Sequence, residues 1–210
     1  RVRKLVESDP QNAAALNFVC LWGKAACWHV VLAPRYLVST VALFRYTIAA
    51  FAASVIAPAR AGELIRVWVL KKRHGVPVAD CAAVAITEKL LDGLSMMMIV
   101  APVPWLVPGL PSWVGRAMFA CGAIALVIFA AVWFAVGRLE PGEGASWFAR
   151  FIGGMHVVRS PKRLLLATGA LLLTWCADLA MINLVMYAVG IEVPFGAALL
   201  VLFTLNLTIA

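Results

Sequence analysis

The chain has 210 residues, of which 64% are hydrophobic and only 13% charged, with a mean hydropathy of +0.95. A water-soluble domain is nearer half apolar and a quarter charged, so this much apolar surface cannot be hidden in one core in water. The composition specifies an all-α polytopic integral membrane protein and excludes a soluble nucleic-acid-binding face. The net charge of +8 therefore reads as an excess of basic loops on one side of a bilayer.

In chain order, about six apolar segments approach the ~20 residues that cross a bilayer. The first, Ala13 to Leu32, is interrupted by Asn17, Lys24 and His29. The second, Tyr36 to Ala57, carries Arg45, and the third, Val78 to Val100, carries Glu88, Lys89 and Asp92. A proline-rich, uncharged loop follows from Pro102 to Pro111, with Trp105 and Trp113 placed as interfacial anchors. The fourth segment, Trp113 to Val136, has no acidic group. The connection after it spaces Trp147, Phe148, Phe151, Ile152, Met155 and Val158 near helical periodicity. That pattern fits a basic amphipathic helix in the headgroup plane. It fits a solvated connector equally well, because adjacent Gly153 and Gly154 cost a helix roughly 2 kcal/mol. The fifth segment, Leu164 to Val189, contains Asp178, and the sixth begins near Phe195. The chain opens at Arg1 and stops within an apolar run at Ala210, so a single transmembrane domain over 1–210, incomplete at both ends, is expected. No signal peptide is visible.

If every segment crosses, alternate connections hold thirteen basic residues against two, Arg35 and Arg116. The positive-inside rule then places the N-terminus, the Arg60–His74 loop and the Arg138–Arg163 loop in the cytoplasm of a bacterial or archaeal cell. Trp105 falls on the other side.

Charges at membrane depth are costly, about 2.5–3.5 kcal/mol each on insertion scales, and they mark functional sites by default. Arg60, Glu63 and Arg66 stand where the second apolar run breaks at Pro58 and Gly62, which predicts a broken or re-entrant element. Glu88, Asp92 and Ser95 share one helical face, with Lys89 about a quarter-turn away. This predicts one polar pocket, with Arg60, Arg66 and Lys89 meeting a phosphate and Glu63, Glu88 and Asp92 as its carboxylates. Internal neutralisation is the competing reading, with Glu63 taken by Arg60 or Arg66 and Lys89 taken by Glu88 or Asp92. Asp178, near Thr174 and Asn183, is a secondary candidate that an interhelical hydrogen bond would also explain.

Other chemistry finds little support. The five cysteines form no CxxC pair, the three histidines lie far apart and read as interfacial or solvated, and no metal site is expected. No GxxxxGK[ST], GxSxG or DxxxD pattern occurs, so no cofactor is expected and the chain reads as transporter-like rather than enzymatic.

The run Pro58-Ala59-Arg60-Ala61-Gly62-Glu63 with Arg66, then Glu88-Lys89-Leu90-Leu91-Asp92, resembles the lysylphosphatidylglycerol synthase transmembrane, or flippase-like, family. Its members carry P-x-R-x-G-E-x-x-R followed about 25 residues later by E-R-x-x-D. Lys89 stands where arginine is usual, keeping charge but losing the bidentate fork. A later glycine-rich element, P-x-G-x-G-x-x-E, is missing and is expected beyond Ala210, since Leu202 to Leu207 resembles its lead-in. The resemblance implies movement of lipids or lipid-linked headgroups, anionic or polyprenyl-phosphate in type, between leaflets, without ATP. It also implies a glycosyltransferase or lipid-modifying enzyme as a partner. An intramembrane enzyme, or an accessory subunit in polyprenyl-phosphate, glycolipid or aminoacyl-phospholipid metabolism, is the alternative.

Overall fold

The structure is a computed structural model that describes residues 2–56, 61–107, 109–138, 147–191 and 194–209; its side chains are described for 11–54, 62–107, 109–138, 147–191 and 194–206. No strand occurs among the described residues, as expected where hydrocarbon leaves every backbone N–H and C=O to be satisfied within its own segment. The helices are α1 (Val2–Leu32), α2 (Thr40–Ile56), α3 (Ala61–His74), α4 (Val78–Val100), α5 (Val103–Leu106), α6 (Ser112–Arg138), α7 (Trp147–Gly154), α8 (Pro161–Ala188) and α9 (Phe195–Ile209). A short 3-10 helix, His156–Arg159, joins α7 to α8. The chain is an all-α polytopic membrane protein.

Three segments are plainly long and apolar enough to cross a bilayer: Gln11–Leu32 of α1, all of α6 and all of α8. α4 is too charged to join that set, yet its 23 residues extend about 35 Å, a full membrane thickness. α1 and α8 run antiparallel. Gly23 lies against Ala170 and Thr174 with no room for a side chain, and Cys20 reaches Thr174 and Asp178. α6 is the outlying span, with only Met118 and Val136 buried, so its remaining apolar surface faces lipid.

α2 and α3 form a re-entrant hairpin. Near its tip Gly62 is buried against the Ala50 carbonyl and the Ser54 hydroxyl, so any larger residue there would wedge the two helices apart. At its base the Tyr46 hydroxyl lies 3.1 Å from Nε2 of His74. The chain then leaves α3 through Gly75, whose φ of 66° belongs to the left-handed region that favours glycine. Pro58 and Arg60 lie outside the described residues.

The hairpin overturns the strict alternation of sides. Arg35 Nη1 is 3.1 Å from Asp80 Oδ1 at the start of α4, and the Tyr36 hydroxyl donates to Asp80 Oδ2 at 2.5 Å. Burial, together with this bond, pushes the Tyr36 hydroxyl up to about 12. Arg35 therefore sits at the same end as His74, not opposite it, and α1 begins at the far end. The physical reason is that α2 is apolar enough to be counted as a crossing, while α3 turns back where a loop was expected.

The end bearing Arg35 also gathers Lys71, Lys72, Arg73, Arg138, Arg150, Arg159, Lys162 and Arg163. The opposite end holds α5, inside the proline-rich connection that sequence patterning left as a loop, and the start of α9, where Gly196 packs on Leu106 and Val107.

α7 is helical in spite of its two glycines, and at Gly154 the missing side chain is what lets it dock. Gly154 lies against Ala83 and Asp80 of α4, and Ile152 to Met155 are buried there. Trp147 and Phe148 remain exposed beside this contact. His156 follows with Nδ1 on the Gly153 carbonyl at 3.1 Å; burial pushes its pKa below the usual histidine value.

Sidedness tests the hairpin directly. On a background lacking the native cysteines, Leu37→Cys (Leu37 is 98% exposed) and Lys72→Cys should react with an impermeant thiol reagent from the same face, and Trp105→Cys from the opposite one. Labelling of positions 37 and 72 from opposite faces would restore the alternating topology.

Candidate functional site

Of the predicted charges, Glu63, Arg66, Glu88, Lys89 and Asp92 are described, and they gather midway along α4 and on the first turns of α3. Glu88 and Asp92 are four residues apart and so share a face of α4, while adjacent Lys89 points elsewhere. That geometry decides the pairing. Arg66, one turn into α3, places Nη1 3.4 Å from Glu88 Oε2. Its guanidinium also lies 4.5 Å from the centroid of the Trp28 ring, and the Trp28 indole N–H donates to the same carboxylate oxygen. Arg66 and Glu88 are both buried. Lys89 turns toward Glu63, on the first turn of α3, with Nζ and Oε1 3.1 Å apart and both side chains about half exposed. Neither pairing matches the neutralisation expected from sequence, which gave Glu63 to an arginine and Lys89 to a carboxylate of its own helix.

Asp92 takes its cation from α1. Lys24 Nζ is 3.7 Å from Asp92 Oδ2, Asp92 Oδ1 is buried without a hydrogen-bond partner, and the Trp175 indole donates to the Asp92 backbone carbonyl at 3.2 Å. Asp178 accepts from the Cys20 thiol at 3.1 Å, so the secondary candidate does make an interhelical hydrogen bond. Asn183 is not part of it; its amide donates to the carbonyl of Leu179 one turn back.

Sequence reading missed Lys24, Trp28 and Cys20. Their spacing of four residues sets them on one face of α1, each aimed at a different carboxylate: Cys20 at Asp178, Lys24 at Asp92 and Trp28 at Glu88. The signal was present, but Lys24 registered only as an interruption of an apolar run.

Two adjoining cavities open on these groups. One, of about 150 Å³, is lined by Lys24, Trp28, Glu63, Arg66, Glu88 and Lys89, with Gly62 in its wall. The other, of about 700 Å³, is lined by Lys24, Lys89, Asp92 and Asp178, with Asn17 and Asn206 among its other polar groups. Lys24, Lys89, Ser54 and Phe51 line both. Ser95, grouped with Glu88 and Asp92 by periodicity, is fully buried and donates to Leu91 of its own helix.

A family model described as Lysylphosphatidylglycerol synthase TM region matches residues 12–210. The chain belongs to that family. No curated protein and no solved structure matches it. Every described residue of the site lies inside the matched range, and membership makes this a membrane protein of lipid metabolism or transport. The hairpin tip and the middle of α4 carry the two charged elements that the sequence shares with this family, and the fold stacks one on the other.

Breaking the buried pair should be costly. Arg66→Met leaves Glu88 charged and unpaired, an expected loss of about 3–5 kcal/mol. Adding Glu88→Gln should recover much of it, because glutamine removes the charge and keeps an acceptor for Trp28. Melting temperatures in a fixed detergent check this; a double variant no more stable than the single one would contradict the pairing. Gly62→Ala should cost about 1–3 kcal/mol by overpacking the hairpin, whereas Gly93→Ala, with open space around it, should be tolerated.

Proposed function

We propose that the chain moves a phosphate-bearing lipid headgroup between leaflets through the two charged cavities, while the tails stay in hydrocarbon. The observation that carries this reading is the placing of exchangeable ion pairs around open volume at membrane depth. Internal pairing alone needs no cavity, yet Lys24, Arg66 and Lys89 all border one. A headgroup in hydrocarbon loses its hydration, and fixed charges must replace that water. Arg66, Lys24 and Lys89, together with Arg60 of the same charged sequence element, supply the cations that meet phosphate oxygens. Glu63, Glu88 and Asp92 hold those cations when no headgroup is present. Phe51 borders both cavities and is itself exposed, which gives the route an apolar lip on which a lipid tail can rest.

Anionic phospholipid or polyprenyl phosphate are the substrate classes this chemistry suits. We place the basic end in the cytoplasm by the positive-inside rule, so in intact cells Trp105→Cys should label and Leu37→Cys should be protected.

Reconstituted protein tests the proposal through leaflet exchange of a labelled anionic phospholipid and a labelled polyprenyl phosphate. Arg60→Ala, Glu63→Ala, Arg66→Ala and Glu88→Ala should each slow exchange by about tenfold or more, since 1.4 kcal/mol of lost compensation is already tenfold. Lys89→Arg should be tolerated and Lys89→Ala impaired. Variants that melt like the parent and still exchange lipid at its rate would sink this reading.

A further inference from the structure

We propose that a groove between α4, α5 and the first half of α6 holds an anionic phospholipid from the leaflet at the Trp105 end. One acyl chain lies in the groove and the phosphate meets Arg116. The groove shares no lining residue with the two charged cavities, so the inference stands whether or not those cavities move lipid.

The groove is apolar and has a volume of about 320 Å³. Met97 and Val100 of α4 form one wall, Met118 and Leu126 of α6 the other, and Pro104 of α5 stands at the outer end. Gly122 leaves the α6 wall open: a methyl group added there would meet no neighbouring group within 4 Å. From Met118 to Leu126 the groove follows α6 for about 12 Å, which makes it roughly 6 Å wide on average. That suits an extended hydrocarbon chain. A helix with its side chains is about 10–12 Å across, so one from a second copy could not lie in it. Met97 and Met118 are unbranched and flexible, which lets the lining follow chains of different shape.

Arg116 supplies the charge. It is exposed, has no ion-pair partner among the described residues, and is the one described basic side chain at this end of the bundle. It stands against the bias that gathers basic residues at the opposite end. Ala123, which lines the groove, is seven residues or two turns further on, so Arg116 lies on the groove's side of α6. Leu126 is about 15 Å deeper. α6 has 27 residues, about 40 Å against ~30 Å of hydrocarbon, so a residue in its second turn stands at headgroup level. Trp113 and Trp105 are exposed there as interfacial anchors, and the Trp105 ring meets Phe119 edge-on with centroids 6.2 Å apart.

A chain entering the groove from this level keeps its phosphate beside the guanidinium, whose fork matches phosphate oxygens. Net charge then selects the class. A zwitterionic headgroup brings its own cation, whereas an anionic one leaves its charge to Arg116.

Quenching by brominated lipid tests this on the full chain in bilayers. A fluorophore on Leu126→Cys, in a background lacking the native cysteines, reports from the deep end of the groove. Phosphatidylglycerol or phosphatidylcholine brominated at mid-chain is added as the same minor fraction of a phosphatidylcholine bilayer. Brominated phosphatidylglycerol should bind about fivefold more strongly than brominated phosphatidylcholine, the preference that one basic residue gives for an anionic lipid. Arg116→Gln should bring that ratio to one, and Arg116→Lys should keep most of it. Gly122→Leu has room to fold and should fill the groove, lowering quenching by both lipids by half or more. Melting temperatures equal to the parent's confirm that the variants are folded. A ratio of one in the parent, meaning ordinary boundary lipid only, would overturn the inference, as would a ratio that survives Arg116→Gln. A dimer that Gly122→Leu separates would overturn it too, because the groove would then belong to a second copy.

Discussion

The fold depends on satisfying one buried carboxylate, Glu88, at the centre of the bundle. Its partners come from two directions: a guanidinium from α3 and an indole N–H from α1. Taking a carboxylate out of water costs several kcal/mol, and only a close cation with further hydrogen bonds repays it. Glu88 therefore fixes where the hairpin tip must sit relative to α1 and α4. The Arg66 guanidinium stacked on Trp28 adds a cation–π contact that a lysine at that position would not match.

From that node the hairpin follows. A segment that enters the membrane and turns back exposes backbone at its turn, which hydrocarbon tolerates only where protein or a water-lined cavity shelters it. The described parts of the hairpin pack on α1 and α4, and Gly62 lets α2 and α3 close tightly on each other. The far end of the hairpin is secured differently. Arg35, Tyr36 and Asp80 tie the α1–α2 connection to α4, and Gly154 brings α7 onto the same turn of α4. α4 is thus gripped at its start by an interfacial contact and at its centre by the charge node. A shift of the hairpin would be felt at both.

Much of this was legible in the sequence, and the failures have physical causes. The apolar segments announced themselves because spanning a bilayer demands length and hydrophobicity together; their predicted bounds fall close to α2, α4, α6, α8, the start of α9 and the apolar part of α1, which itself begins eleven residues earlier. The meeting of Glu63, Arg66, Glu88, Lys89 and Asp92 around one polar region followed from the cost of exposing charge to lipid. Pairing was not legible, because it depends on helix rotation and on which helix brings the opposing charge. Lys24 is the clearest case: as a single residue it weakens a span, and only its register with Cys20 and Trp28 shows that it belongs to a polar face. The N-terminus and the Arg35 connection were expected at the wrong ends of the bundle for a related reason. Hydropathy measures apolar length, and α2, with 17 residues, has nearly enough for a crossing although the chain turns back after it. α3 carries too many charges to register as membrane-embedded at all, yet it supplies Glu63 and Arg66.

The three ion pairs are not equivalent, and the difference separates scaffold from working parts. Arg66–Glu88 is buried, doubly supported and adjacent to a packed ring, so moving it would disturb three helices at once. Lys89–Glu63 is half exposed along the cavity edge, and Lys24–Asp92 is long and incompletely hydrogen-bonded. Exchange with an incoming phosphate is cheapest where the resting pair is weakest, so Lys24 and Lys89 are the cations that can be released first. Both border the two cavities, whereas Arg66 borders only the smaller one. On the proposed route, a headgroup entering the larger cavity would meet Lys24 and Lys89 before Arg66, the cation held most firmly. The same order suits a lysine at position 89. A group that must let go of one partner to take another gains from being a flexible point charge rather than a rigid fork.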